Sequence, residues 1–148
     1  MHKISPKKKF GQNFLTDQSV IERIVSIAGQ LENKSILEIG GGSGSLTKHL
    51  IKAKPKNLVV VEIDKDYVEI LSKILQSSSV KTTLISEDIL KTDIYSYFSE
   101  PPVIFGNLPY NISTKILAKL LTPLNDESKW EKLFLMFQLE VANRIVAK

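Results

Sequence analysis

The stretch Ile36-Leu37-Glu38-Ile39-Gly40-Gly41-Gly42-Ser43-Gly44-Ser45-Leu46-Thr47 decides the fold. A short apolar run breaks into four glycines within five positions and resumes as Leu46, Leu50 and Ile51, the pattern of a buried strand that turns tightly into a helix. Glycine permits positive φ and removes side chains that would hold a ligand away from the backbone. The helix that follows aims unpaired N–H groups over the turn. A ligand site at the carboxyl edge of a parallel sheet is the expectation, and a glycine-rich turn without a ligand is the bland alternative.

Spacing separates two nucleotide-binding patterns. A nicotinamide dinucleotide site asks for G-x-G-x-x-G, but counting from Gly40 the sixth position is Ser45. The pattern here is G-x-G-x-G, preceded on the strand by Glu38, and it resembles the first motif of S-adenosylmethionine-dependent methyltransferases.

The chain has 148 residues, 43% of them apolar, and a mean hydropathy near zero, which suits one soluble domain. No apolar run approaches the roughly 20 residues of a membrane span, and the basic start lacks an apolar signal core, so no membrane association is expected. The absence of cysteine excludes disulfides and thiolate chemistry, and two histidines, His2 and His49, make a metal cluster hard to build. No metal and a cytoplasmic location are expected. Lys3, Lys7, Lys8 and Lys9 account for the whole net charge of +4, because residues 10–148 carry sixteen basic and sixteen acidic side chains. A neutral globule with a cationic arm suits a polyanion, although a solvated tail has the same composition.

Thr16 or Asp17 caps a helix with Val20, Ile21, Ile24, Val25 and Ala28 on one face, ended by Gly29. Residues 35–39 form a first strand, and the helix after the glycine turn ends near Ala53, before Pro55. Further strands are expected at Leu58–Glu62, Thr82–Ser86, Val103–Phe105 and Leu133–Phe137. Helices are expected around Tyr67–Leu75, from a Ser113 cap to Thr122-Pro123, and over Leu139–Val146. Strand and helix alternating five times imply right-handed βαβ units and an open parallel sheet with helices on both faces.

Ligands in such sheets bind beyond the carboxyl ends of the strands. The first strand ends in Gly40 and Gly42. The second offers Glu62, twenty-two positions after Gly40, where a carboxylate can accept from both ribose hydroxyls. The third offers Glu87-Asp88-Ile89, an acid to accept from an adenine amino group and a backbone N–H to donate to the ring. The fourth offers Asn107-Leu108-Pro109-Tyr110, which resembles the motif of amino-methyltransferases acting on adenine N6. An exocyclic amine is a poor nucleophile while its lone pair is delocalised. The Asn107 side-chain oxygen and the Leu108 carbonyl can each accept one N–H, Pro109 stiffens the turn, and Tyr110 gives the base a face to stack on. No general base is required, and catalysis is mostly positioning and electrostatics.

With these positions in place, the chain resembles the ribosomal RNA adenine N6,N6-dimethyltransferases, the family of the bacterial KsgA enzymes and, more distantly, of the Erm resistance methylases. Lys8-Lys9-Phe10-Gly11-Gln12-Asn13-Phe14-Leu15 looks like the family's N-terminal cofactor motif, and Gln138-x-Glu140-Val141-Ala142-x-Arg144 follows in the family's order. The resemblance implies a Rossmann-like class I methyltransferase fold over residues 16–148, with residues 1–15 as a basic arm and cofactor motif. It implies that Gln12, Asn13, Leu15, Glu38, Gly40, Gly42, Glu62, Ile63, Asp88, Ile89 and Asn107 bind S-adenosylmethionine. Gly40 would meet the methionine moiety, Glu62 the ribose and Asp88 the adenine. Asn107, Leu108, Pro109 and Tyr110 would hold the target amine, and Lys7, Lys8 and Lys9 RNA phosphates.

The implied reaction is dimethylation of N6 on two adjacent adenosines in a 3'-terminal hairpin loop of 16S ribosomal RNA, by a monomer acting in small-subunit maturation on flipped-out bases. Two departures stand out. Position 41 is Gly where the family usually has Pro, which loosens the turn without adding bulk. The family also continues past Lys148 with further strands and a helical domain, so a fragment truncated after the fifth strand and its helix, with an exposed fifth strand, is expected, one that binds the cofactor but by itself is inactive on RNA. Alternatives are an Erm-type large-subunit methylase, a non-catalytic RNA-binding relative, and a dehydrogenase. His49 reads as a surface residue, and Trp130 has no functional reading.

Overall fold

The computed structural model describes residues 15–122 and 129–148. Five parallel strands make one sheet: β1 (Ser35–Ile39), β2 (Asn57–Val61), β3 (Lys81–Ile85), β4 (Val103–Asn107) and β5 (Lys132–Met136), in the order β3-β2-β1-β4-β5. The α-helices are α1 (Gln18–Ala28), α2 (Ser45–Lys52), α3 (Lys65–Gln76), α4 (Ser113–Leu121) and α5 (Leu139–Val146). Each expected strand is present, β1 with the expected bounds and the others with bounds shifted by a residue or two. Because β1 lies between β2 and β4, the chain winds outward from it in both directions, the Rossmann-like arrangement that opens a cleft at the switch point.

The two faces of the sheet follow the strand's two-residue period. Ile36, Leu58, Val60, Val103 and Phe105 point to one side, where α1, α2 and α3 bring Ile21, Leu50, Tyr67 and Leu71. Leu37, Ile39, Val59, Val61 and Ile104 point to the other, where α4 brings Ile116 and Leu120. Leu50, Leu71 and Ile116 are wholly buried, each contributing about 1.5–3 kcal/mol of transfer free energy.

The expected alternation fails once. β3 and β4 are joined by a single 3-10 turn, Ile94–Tyr97, rather than an α-helix. Local side chains take the backbone groups a helix would use: Asp88 Oδ1 accepts from Leu90 N, Thr92 Oγ1 donates to Asp88 O, and Ser96 Oγ donates to Asp93 O. Pro101 and Pro102 close the segment. Ile94 is nonetheless fully buried and Ile89 nearly so, with Leu90, Tyr95 and Phe98 packed against the same cluster, so the connection still covers the sheet with apolar side chains.

Of the two cap candidates for α1, Asp17 is the cap, its side chain accepting from Ser19 N and Val20 N. Ser113 does not cap α4. It is the first helical residue, the cap position is Ile112, and Ser113 Oγ donates to Tyr110 O at 3.4 Å. Trp130 acquires a structural role, its Nε1 donating to Leu120 O at 2.9 Å and so tying the approach to β5 to the end of α4. Leu139 and Val146 of α5 are 75% and 73% exposed, and no residue of that helix is buried. Among the described residues no strand pairs with the outer side of β5, and no helix is long and apolar enough to cross a membrane.

Candidate functional site

Backbone pairing continues past the strand ends and sets three rims in line. Gly40 N donates to Val61 O at 2.8 Å, Glu62 N to Ile85 O at 3.0 Å, and Leu108 N to Met136 O at 3.4 Å. A cavity of about 230 Å³ opens above these rims. Leu15, Glu38, Gly40, Gly42, Glu62, Ile63, Asp88, Ile89, Asn107 and Pro109 all line it, so one site gathers residues from the ends of four strands. Gln12, Asn13, Lys7, Lys8 and Lys9 lie outside the described residues.

Two glycines make the floor possible. Gly40 has φ +74°, and a side chain there would stand 3.7 Å from the Asn107 carbonyl, which approaches the turn from β4. Gly44 caps α2 in the left-handed conformation at φ +82°. Gly41 is different. Its φ is not positive, but a Cβ would meet Val60 Cγ1 at 2.7 Å and both Leu71 methyls at 2.9 Å. Bulk missing at position 41 is therefore filled by Val60 and Leu71, and the turn packs tightly against the core.

The carboxylates differ in surroundings. Glu62, just past β2, accepts from Gly42 N through Oε2 and from Ile63 N and Asp64 N through Oε1, each at 2.9 Å. Burial pushes its carboxyl above the usual range, and those three backbone donors oppose the shift. Glu38 on β1 is 1% exposed, accepts from Thr47 Oγ1 at 2.6 Å, and is pushed up to about 8, chiefly by burial and further by the charge of Glu62, with the Thr47 bond acting against both. Asp88 uses Oδ1 to hold Leu90 N at 2.9 Å. Glu87 lines the cavity as well, whereas no lysine or arginine does among the described residues.

The tetrapeptide after β4 is split by the structure. Asn107 and Pro109 face the cavity, while the Leu108 side chain, 4% exposed, is buried in the core beneath. Tyr110 is 45% exposed and lies outside the lining. Asn111, Ile112 and Ile116 complete that wall, together with Ser43 and Ser45 on the glycine side. Sequence reasoning gave none of these a role in binding, Ser45 having served only to argue against a dinucleotide pattern, nor did it give one to Thr47. Thr47 stands in the first turn of α2, where a hydroxyl reaches back under the glycines to the end of β1. His49, one turn on, is half-buried with Nδ1 2.9 Å from Ser45 O, and it does not line this cavity.

The acceptor set fits a cationic nucleoside better than a dinucleotide. Four carboxyl groups, Glu38 among them protonated below about 8, and no basic side chain among the described lining residues disfavour a pyrophosphate, and they suit hydroxyl, amino and ammonium donors. Gly42 has open space where a Cβ would stand, which leaves room for a ligand to lie against the backbone.

The curated relatives include the ribosomal RNA small subunit methyltransferase A of Pelagibacter ubique, 46% identical over 145 residues that cover 98% of this chain and 54% of that protein. The protein of the same name from Dinoroseobacter shibae is 40% identical over 147 residues, covering 99% and 52%. Among solved structures, a dimethyladenosine transferase from Plasmodium falciparum superposes with a TM-score of 0.73 at 27% identity, covering 92% of this chain and 47% of that one. The 23S rRNA methyltransferase ErmE gives 0.75 at 27% identity, covering 88% and 50%. The chain spans about half the length of the curated relatives it matches. Residues 3–148 match the family described as ribosomal RNA adenine dimethylase, and the chain belongs to that family.

Proposed function

We propose that the protein transfers methyl groups from S-adenosylmethionine to N6 of adenosine in small-subunit ribosomal RNA, twice per base. The observation that carries this reading is one carboxylate-lined cavity running from the Gly40–Gly44 turn to Asn107 and Pro109. Family membership and the names of the curated relatives support it.

The residues divide the work. Glu62, held by three backbone donors, presents lone pairs to the ribose hydroxyls. Asp88 accepts from the cofactor's adenine amino group, and the Ile89 N–H donates to the ring. Gly40 and Gly42 let the methionine end lie on the backbone, with Glu38 and Ile63 beside it and Gln12, Asn13 and Leu15 closing over it. When bound, the cofactor supplies an electrophilic methyl group on a sulfonium. Asn107 and the Leu108 carbonyl each accept one N–H of the target amine, which frees the lone pair for in-line attack. The buried Leu108 side chain fixes the direction of that carbonyl, and Tyr110, half-exposed at the rim, offers its ring to the flipped base. The methylated nitrogen loses its proton to water, so no side-chain base is needed.

Residues 1–15 act as an arm, with Lys7, Lys8 and Lys9 meeting RNA phosphates. The protein works as a monomer in the cytoplasm on the maturing small subunit, where its target is a pair of adjacent adenosines in 16S RNA.

A large-subunit target is the second reading, favoured by the resemblance to ErmE. The intact protein, given labelled cofactor and undermethylated small subunits, large subunits or their naked RNAs, separates the two. Label in dimethyladenosine of the small-subunit RNA, abolished by Asn107→Ala, is the expected result. Label in large-subunit RNA would transfer the assignment, and undiminished activity of Asn107→Ala would remove the mechanism.

A further inference from the structure

Lys119 belongs to none of the motifs above. It sits on α4, half-buried, and its Nζ donates to the carbonyl of Ile89 at 2.7 Å and to that of Thr92 at 2.6 Å. Both acceptors are in the loop after β3, thirty and twenty-seven positions back along the chain. The same loop is folded on itself around Asp88, whose carbonyl accepts from Lys91 N at 2.9 Å, Thr92 N at 3.1 Å and Thr92 Oγ1 at 2.8 Å. Two carbonyls converging on one point call for a donor with several protons, and an ammonium has three. Bonds from a charged donor are stronger than neutral ones.

The placement matters because the clamp joins the two halves of the site. The loop it grips puts Asp88 and Ile89 in the cavity wall. The helix it extends from begins at Ser113, two residues separating it from the Asn107–Tyr110 turn, and its cap Ile112 and its Ile116 also line the cavity. Burial lowers the ammonium's affinity for its proton, and the charges of Asp93 and Asp88 act in the other direction.

We propose that Lys119 is a positioning residue for adenine recognition: by holding the Ile89 and Thr92 carbonyls it fixes the Asp88–Ile89 edge against the cofactor's base and couples it to the helix behind the target-amine motif. This rests on the reading of the cavity as the S-adenosylmethionine site. Lys119 does not line the cavity, and its effect is carried by Asp88 and Ile89.

The test measures binding of S-adenosylhomocysteine and of S-inosylhomocysteine, which has an oxo group in place of the 6-amino group, to wild type, Lys119→Met and Asp88→Ala. Lys119→Met is expected to weaken the adenosyl ligand about tenfold, as loss of charged hydrogen bonds to a loop would. It should weaken the inosyl ligand less than about twofold, and have little further effect when combined with Asp88→Ala. Equal losses for both ligands, or full additivity with Asp88→Ala, would overturn the inference while leaving the cofactor reading intact. Wild-type protein that binds neither ligand would overturn both. Should Lys119→Met not fold, Lys119→Gln keeps one donor group; intermediate selective loss supports the clamp, and unchanged discrimination between the ligands overturns it.

Discussion

The carboxylate of Glu62 accepts the backbone N–H of Gly42 at 2.9 Å, so the end of β2 holds the turn that leaves β1. The residue read from sequence as a ribose acceptor is also a brace for the glycine turn. Replacing it by glutamine keeps an oxygen for Ile63 N and Asp64 N but can set an NH2 against the Gly42 N–H. Glu62→Gln is expected to lose about 1–3 kcal/mol of stability, the cost of leaving a buried donor unpaired. Denaturant unfolding gives the magnitude, and faster amide exchange at Gly42 than at Ile63 locates it.

Stability should fall as the solution becomes alkaline. In the unfolded chain the Glu38 carboxyl titrates near 4.5, and in the folded protein near 8. Between those values the folded state keeps a proton that the unfolded state has released, so unfolding is eased by at most about 1.4 kcal/mol for each pH unit. The contribution is complete below about 4.5 and exhausted above about 8. Burial raises Glu62 as well, which adds to the slope in the same sense. Urea midpoints measured from pH 5 to 9 should decline in wild type and decline less in Glu38→Gln. A Glu38→Gln profile parallel to wild type would remove the assignment.

Gly41 is expected to resist even a methyl group. Gly41→Ala drives a Cβ toward Val60 and Leu71, both buried, and overpacking of this kind costs about 1–3 kcal/mol. Leu71→Ala is destabilising by itself, but in combination the two changes should be less harmful than their sum. Thermal melts of the four proteins in the cycle decide the point. Simple additivity would mean that the contact is relieved elsewhere.

The apolar residues of α5 should be tolerant of change. Leu139→Ser and Val146→Ser alter positions 75% and 73% exposed and should shift stability by no more than about 0.5 kcal/mol. Ile116→Ala, wholly buried under the sheet, should cost about 2–5 kcal/mol. A large loss at Leu139 would show that α5 is packed in solution.

Strand positions were legible because each apolar run was short, and the first four ended near a glycine, acid or asparagine at the rim, whereas the run Leu133–Phe137 has neither a β-branched residue nor such a rim. That punctuation placed Gly40, Glu62, Asp88 and Asn107 on one cavity from sequence alone, and the family resemblance supplied the same fold. What escaped were contacts between side chains and backbone far apart in sequence. Nothing in the periodicity of α4 distinguishes Lys119 from a solvated lysine, because its acceptors lie on a loop without repeat. The 3-10 turn between β3 and β4, a stretch to which the sequence reading gave no element, escaped for a related reason: Asp88, Thr92 and Ser96 bond locally, an effect no hydrophobic spacing records. Gly41 read as mere absence of bulk, whereas Val60 and Leu71 make that absence a packing requirement.

The outward winding from β1 separates donor and acceptor chemistry along the polypeptide. The strands that carry Gly40, Glu62 and Asp88 are consecutive, and the one that carries Asn107 is added on the far side of β1. During synthesis, the residues proposed to hold the cofactor's nucleoside leave the ribosome before Asn107. In the finished sheet Ile36 pairs with Val103 and Leu37 with Ile104, so the second edge of β1 can be covered only after residues 103–107 have been made.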